Sequence, residues 1–178
     1  FRQVVPMLKN LKEPFYAFTV TLTSHGPFDL PKEKRVLNLD GELDKSELGG
    51  YFESIKYTDA QIGEFLKQLD KEGLLDDTVV VIEGDHTGVH KYYNSSIEKL
   101  SNKEDWYLDN GHHTIPFIIW SKDMNEGKTF DTIGGQIDIM PSLLYLMGVD
   151  NEKYINTAIG RNLLNTNKSF AVLTNLEV

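Results

Sequence analysis

An acidic residue and a histidine, Asp85 and His86, directly follow a short apolar run. The run from Val79 to Ile82 contains only β-branched residues, which is typical of a strand buried on both faces. Because open α/β sheets bind ligands outside the carboxyl ends of their strands, Gly84-Asp85-His86 would lie in such a crevice. A carboxylate oxygen and an imidazole nitrogen suit a divalent metal such as Mn²⁺ or Zn²⁺. The pair is therefore a candidate half of a metal site, although a helix cap and a core histidine would explain the same residues.

The remaining histidines are weaker candidates. His25 follows the first predicted strand, in a loop of small and polar residues where an imidazole could bind a phosphate oxygen. A plain surface position is the alternative. His90 comes four residues after His86 and is expected at a pocket wall or on the surface. His112 and His113 are adjacent and so point in different directions in an extended chain; a solvated loop pair is favoured, and their role stays open.

The composition excludes several classes of function. The 178 residues include 18 basic and 27 acidic side chains, a net charge of −9 that argues against nucleic acid as a partner. There is no cysteine, so neither a disulfide nor thiolate chemistry is available. No segment approaches the roughly 20 apolar residues that span a bilayer, and no signal pattern precedes the domain. We therefore expect a piece of a longer polypeptide with anchoring segments elsewhere. Neither a phosphate-binding glycine loop nor a G-x-S-x-G nucleophile motif occurs.

The elements that would position these residues alternate along the chain. Strands are predicted over 15–22, 79–83 and 115–120, and helices over 46–72, 94–100 and 137–147. Gly73 is a natural helix end, and Gly49-Gly50 could interrupt the start of the long helix. Residues 29–45 are expected to form an exposed connection. The order of elements predicts an α/β fold, a sandwich with a largely parallel central sheet flanked by helices, as a single domain over 1–178.

Three segments taken together resemble one family. They are residues 21–28 (TLTSHGPF), 78–86 (TVVVIEGDH) and 135–148 (GQIDIMPSLLYLMG). Over most of its length the chain is similar to the C-terminal portion of a sulfatase-like domain of the alkaline phosphatase superfamily. Within that superfamily it most resembles the group of lipoteichoic acid synthases and phosphoglycerol transferases. Each segment alone would be a weak signal, and their combination is specific.

The resemblance implies an alkaline-phosphatase-like fold and one divalent cation, Mn²⁺ or Mg²⁺. By position, Asp85 and His86 match metal ligands, and His25 matches a histidine of the substrate phosphate pocket. The threonine nucleophile and the remaining acidic ligand of the family lie upstream of the matched segments. The resemblance therefore implies that a chain starting at Phe1 contains neither and is inactive alone. It also implies transfer of glycerophosphate from the phosphatidylglycerol head group to a glycerophosphate polymer, at the extracytoplasmic face of a bacterial cell membrane.

Two alternatives remain beside this interpretation. A sulfatase or a phosphoethanolamine transferase of the same superfamily would share the fold and the Asp-His pair. A Cys or Ser nucleophile upstream would indicate sulfatase chemistry, whereas Thr would indicate transfer of a phospholipid head group. The other alternative is a non-catalytic module that binds an anionic polymer through the same pocket.

Overall fold

The computed structural model describes residues 1–88, 93–101, 103 and 114–173. The chain divides into two compact units, Phe1–Asn125 and Glu126–Val178. Its helices and strands are α1 (Val4–Lys9), α2 (Gly41–Asp44), α3 (Glu47–Lys71), β1 (Val80–Glu83), α4 (Asn94–Ile97), β2 (Phe117–Trp120) and α5 (Ile139–Leu146). Short 3₁₀ helices lie at Lys32–Lys34, Gln136–Asp138, Asn151–Lys153 and Leu163–Asn165. Among the described residues, no helix has the length and apolar character needed to cross a membrane.

The long helix α3 begins and ends at sequence signals. The Ser46 hydroxyl caps its first turn by accepting a hydrogen bond from the backbone N–H of Gly49, 3.0 Å away. After the last turn, Gly73 adopts a φ of +75°, the left-handed conformation that favours glycine. The helix predicted over 46–72 is thus confirmed within one residue at each end. Gly49 and Gly50 do not interrupt it; both lie inside the helix and are buried.

The segment 29–45 is mostly exposed, as expected for a connection, but it is anchored on α3. Its Leu30 side chain is buried. The Glu53 carboxylate of α3 is also buried and accepts hydrogen bonds from the backbone N–H groups of Val36 and Leu37, at 2.8 and 2.9 Å. A buried carboxylate needs such donors to replace water. The polar residue on the helix therefore holds the segment in place.

Two apolar clusters form the core of the first unit. One joins α1 to the C-terminal half of α3 and contains Val5, Leu69 and Leu75. The other joins the N-terminal half of α3 to α4 and contains Leu48, Tyr93 and Ile97. α3 therefore contributes residues to both apolar clusters of the first unit.

The sheet differs from the expectation of a largely parallel one. β1 and β2 pair antiparallel, with Val80 opposite Trp120 and Glu83 opposite Phe117. This two-stranded pairing is the sheet of the described residues. The segment 15–22, predicted as a strand, has no ladder partner there, and Tyr16 and Leu22 are 84% and 82% exposed. An apolar alternating pattern predicts a strand, but ladder formation also requires a second backbone.

In the second unit, Asp138 organises α5 and the chain that follows it. Its buried carboxylate accepts hydrogen bonds from the backbone N–H groups of Gly135 and Arg161, at 2.9 and 2.7 Å. The Ser142 hydroxyl donates to the Asp138 carbonyl and accepts from the N–H of Leu163. The segment around 161–163 is thereby tied to the start of α5. Asp138 therefore braces this part of the second unit.

Candidate functional site

Asp85 and His86 follow β1, where the sequence places them. Their approach is set by Gly84, whose N–H donates to the carbonyl of Pro116 at 3.1 Å and so extends the β1–β2 ladder by one residue. A Cβ at this glycine would lie 3.1 Å from Ile115 Cβ, a tighter contact than side chains usually make. Because Gly84 has no side chain, its backbone can lie against Ile115 and Pro116 directly before Asp85 and His86.

The two candidate ligands contact each other. Asp85 Oδ1 accepts a hydrogen bond from the backbone N–H of His86 at 3.0 Å, and Asp85 Oδ2 lies 3.7 Å from His86 Nε2. His86 Nδ1 lies 2.9 Å from the carbonyl oxygen of Thr87. Because a carbonyl only accepts, Nδ1 carries the proton, and a neutral ring then has its acceptor nitrogen at Nε2, on the Asp85 side. This is the tautomer that a metal-binding histidine needs.

The donor set of this pair fits part of a divalent metal site. Metal–ligand bonds of about 2.0–2.2 Å place two donors of one ion about 3–4 Å apart, and the Asp85–His86 separation of 3.7 Å falls in that range. Both side chains are largely exposed, at 85% and 61%. Within the described ranges, however, no group of three or more His, Cys, Asp or Glu residues could hold an ion. The pair supplies one oxygen and one nitrogen, and a complete site needs further ligands.

His25 lies in the loop that follows the segment 15–22. A turn holds it, since its N–H donates to the carbonyl of Leu22 at 3.0 Å. The hydroxyls of Thr21 and Ser24 are 2.6 Å apart and brace the same turn. His25 Nδ1 donates to the carbonyl of Gly26 at 2.8 Å, which leaves Nε2 as the ring atom for a ligand. The imidazole is exposed to solvent.

A cavity of about 450 Å³ lies beside His25. One wall comes from the loop and the other from α3. Its lining includes Leu22, Thr23, His25, Gly26, Pro27, Phe28, Asp29, Leu30, Pro31, Lys34, Ser54 and Tyr57. The walls combine apolar side chains with hydroxyls, one imidazole, one ammonium group and one carboxylate. This chemistry suits a small phosphate ester that carries a polyol part.

The structure brings some predicted site residues together. Asp85 and His86 are in contact, and His25 stands at a cavity on α3. His90, His112 and His113 lie outside the described residues. The sequence analysis missed Lys34, Ser54 and Tyr57 at the cavity. The i, i+3 spacing of Ser54 and Tyr57 places both on one face of a helix, and this was the available signal.

The comparison with known proteins identifies the class. The family model described as Sulfatase matches residues 1–149. The chain belongs to the sulfatase family. The crystal structure of the lipoteichoic acid synthase LtaP from Listeria monocytogenes superimposes with a TM-score of 0.70 at 33% sequence identity. That match covers 93% of this chain and 40% of LtaP. The alkaline-phosphatase-like fold class is thereby confirmed, with the antiparallel β1–β2 pair as a local departure from the expected strand direction.

Particular relatives narrow the resemblance further. The chain is 36% identical to lipoteichoic acid synthase 1 of Bacillus subtilis (strain 168) over 162 residues, 88% of this chain and 24% of that protein. It is 32% identical to the lipoteichoic acid synthase of Staphylococcus aureus (strain USA300) over 154 residues, 82% of this chain and 22% of that protein. The chain thus spans about a quarter of the length of these relatives. The predicted likeness to lipoteichoic acid synthases is confirmed.

Proposed function

We propose that this chain is part of a metal-dependent phosphoglycerol transferase. Its donor is the head group of phosphatidylglycerol and its acceptor a glycerophosphate polymer, at the extracytoplasmic face of a bacterial cell membrane. The observation that carries this proposal is the Asp85–His86 contact after β1, in a chain 36% identical to a lipoteichoic acid synthase. The acidic balance of the chain, net −9, supports a role without nucleic acid.

Asp85 and His86 would hold one divalent cation, Mn²⁺ or Mg²⁺, together with ligands from other sequence. The imidazole nitrogen favours Mn²⁺, because Mg²⁺ prefers oxygen donors. When bound, such an ion supplies positive charge beside phosphoryl oxygens and lowers the pKa of a hydroxyl nucleophile. The hydrogen bond from Nδ1 to the carbonyl of Thr87 favours the His86 tautomer in which Nε2 would bind the ion.

His25 and Lys34 would bind the substrate phosphate at the cavity. His25 donates Nδ1–H to Gly26, so only a protonated ring also has a donor at Nε2 for a phosphate oxygen. An imidazolium there offsets negative charge as it develops on the phosphoryl group. The Lys34 ammonium adds a positive charge at the cavity, beside the carboxylate of Asp29 in the same lining.

The nucleophile is proposed to come from sequence other than these 178 residues. Thr23, Ser24 and Thr87 are the hydroxyls nearest to the predicted site in sequence, and none belongs to a recognisable activating motif. The relatives are several times longer than this chain. We therefore expect the isolated chain to complete no turnover. Release of a labelled head group from phosphatidylglycerol by the purified chain would contradict this.

The metal assignment is tested in the full-length protein that contains these residues. Mn²⁺ affinity is measured by calorimetry for Asp85→Ala, His86→Ala and the exposed control Asp131→Ala. The two site variants should lose about 10- to 100-fold or more in affinity, as removal of metal-site groups generally does, and the control should match the parent. Unchanged affinity in both site variants would show the ligand assignment to be wrong. Hydrolysis of an aryl sulfate, with no transfer from phosphatidylglycerol, would favour the sulfatase alternative.

A further inference from the structure

Tyr51 of α3 contacts the loop that carries Asp85 and His86. Its hydroxyl lies so close to the backbone of Gly88 that a Cβ there would be 1.7 Å from Tyr51 Oη and 2.6 Å from Cζ. Real Cβ atoms do not approach other atoms this closely. The absence of a side chain at Gly88 therefore lets the loop rest directly on the tyrosine, two residues beyond His86.

The same ring contacts the loop that carries His25. Phe28, three residues after His25, packs edge-on against Tyr51 with ring centroids 5.3 Å apart. The neighbouring Gly50 supports the contact, since a Cβ there would lie 2.8 Å from the Phe28 carbonyl oxygen. Phe28 has a φ of +59°, in the left-handed region that non-glycine residues rarely adopt. The packing on α3 thus fixes this loop at a defined place.

Two further aromatic rings pack against Tyr51. Tyr93 stacks on it with an interplanar angle of 21°, and Phe52 packs at a centroid distance of 5.9 Å. These rings border the cluster built on Leu48 and Ile97. Burial raises the pKa of the Tyr51 hydroxyl, so the group is neutral at physiological pH and needs no counter-charge. A ring packed on several sides has little freedom to move away from either loop.

We propose that Tyr51 is a positioning residue whose ring sets the separation between the His25 loop and the Asp85–His86 loop. The inference rests on the proposed function only in assigning the two loops to one site. A displacement of either loop is transmitted to the other, because both contact the same side chain. Packing on the Tyr51 ring is the contact that couples them.

The coupling is tested without metal, in the full chain. Carbon-13 labelled histidine gives one ring signal per histidine, each assigned with a single His variant. Gly88→Ala must push the Tyr51 ring and should shift the His25 signal, although Gly88 is distant from His25 in sequence. Gly63→Ala is the matched control. Gly63 lies on α3, as Tyr51 does, and a Cβ at this position would meet nothing within 4 Å. In a Tyr51→Ala background, Gly88→Ala should leave the His25 signal where that background places it.

A second pair of variants covers the case in which Gly88→Ala does not fold. Phe28→Leu alters the ring contact from the other side and should shift the His86 signal, again only when Tyr51 is present. Tyr51→Phe loses the hydroxyl but keeps Cζ, which a Cβ at Gly88 would approach to 2.6 Å, so it should retain the part of the coupling that the ring carries, whereas Tyr51→Ala should abolish it. Loops that respond only to substitutions within themselves would overturn the inference.

Mn²⁺ broadening separates this inference from the proposed function. In the parent chain, Mn²⁺ should broaden the His86 signal most and the His25 signal next. Tyr51→Ala should reduce the broadening of His25 relative to His86, and Tyr51→Phe should restore it. No broadening of His86 in the parent would contradict the metal assignment while leaving the metal-free coupling as the test of Tyr51. Equal broadening ratios in parent and Tyr51→Ala would contradict the role of Tyr51.

Discussion

At the scale of single residues, the two candidate histidines hold their rings in the same way. His25 donates Nδ1–H to the carbonyl of Gly26, and His86 donates Nδ1–H to the carbonyl of Thr87. In each case the acceptor belongs to the next residue, so the turn of the loop fixes both the tautomer and the direction of the ring. In the proposed site, Nε2 would then be the ligand-binding atom of both rings. The residue types alone made these two histidines candidates. Their hydrogen-bond acceptors could not be predicted in this way, because every residue has a backbone carbonyl.

Asp138 gives a residue-scale prediction about stability. Asp138→Asn replaces one carboxylate oxygen by an NH₂ group, which cannot accept the hydrogen bond from Gly135 or Arg161. Since the side chain is 1% exposed, the unpaired donor stays buried. We expect a loss of about 1–3 kcal/mol in the free energy of unfolding. Urea unfolding followed by circular dichroism measures it, with the exposed Asp131→Asn as the control. Equal midpoints for both variants would contradict the bracing role.

At the scale of elements, local patterns were sufficient for α3 and insufficient for its surroundings. The serine cap and Gly73 mark the ends of the helix, and both signals are read within a few residues. The partner of Glu53, in contrast, is a pair of backbone N–H groups 16 and 17 residues away. The antiparallel direction of β1 and β2 likewise depends on the path of the chain between them. Such non-local pairings have no periodic signature in sequence.

At the scale of elements, alanine substitutions at two glycines of α3 should change the free energy of unfolding in opposite directions. Alanine is a better helix former than glycine by about 0.5–1 kcal/mol, so Gly63→Ala should stabilise the fold by roughly that amount. Gly49→Ala gains the same propensity, but its Cβ would lie 1.9 Å from the Leu43 carbonyl oxygen. We expect a net loss of about 1–3 kcal/mol because α2 must move. Thermal unfolding of both variants measures the difference, and stabilisation by Gly49→Ala would show that α2 does not pack there.

Lys122, directly after β2 and its neighbour Ser121, gives a prediction about pH. Hydrogen bonds to Asp70 and Asp76, both 2.6 Å long, raise the pKa of its ammonium group above the ordinary lysine value. The folded state therefore binds this proton more tightly than the unfolded state. The resulting stabilisation is complete below about pH 10.4, the ordinary pKa, and is lost as pH rises through the higher folded pKa.

The variant Lys122→Met should unfold at a lower temperature than the parent between pH 6 and 9. The difference should be small, because the three side chains are about half exposed. It should stay constant over that range, narrow above about pH 10.4, and shrink in 1 M salt. Lys99→Met, at an exposed lysine, is the control. A difference that grows with alkaline pH would contradict the assigned sign.

At the scale of the whole molecule, the family could be predicted and the complete site could not. Three motifs, at a turn, a strand end and a helix start, indicated a sulfatase-like domain, and the family match over residues 1–149 confirms it. The proposed metal site would need ligands beyond Asp85 and His86, since no group of three or more His, Cys, Asp or Glu among the described residues could hold an ion. With about a quarter of its relatives' length, the chain shows how the loops that contact α3 and follow β1 are arranged.

The exposed apolar segment before His25 gives the prediction for the molecule as a whole. Tyr16, Phe18, Val20 and Leu22 alternate along an extended stretch and are 66–84% exposed. A contiguous apolar stripe of this kind binds hydrophobic dyes and promotes association. The double variant Phe18→Thr/Val20→Thr places β-branched residues at both positions but removes most of the apolar surface at the centre of the stripe. We expect weaker fluorescence of bound anilinonaphthalene sulfonate and less light scattering, with the free energy of unfolding unchanged within about 0.5 kcal/mol.

Met7→Thr is the matched control for that variant, because Met7 is 67% exposed but lies outside the stripe. Its dye fluorescence should remain at the parent level if contiguity of the apolar surface, rather than its total amount, determines binding. Two results would contradict the prediction. Unchanged dye binding in the double variant would place the dye elsewhere. A large loss of stability would mean that Phe18 and Val20 are covered in solution, since exposed side chains contribute little to folding, and the segment would then already be packed against other backbone.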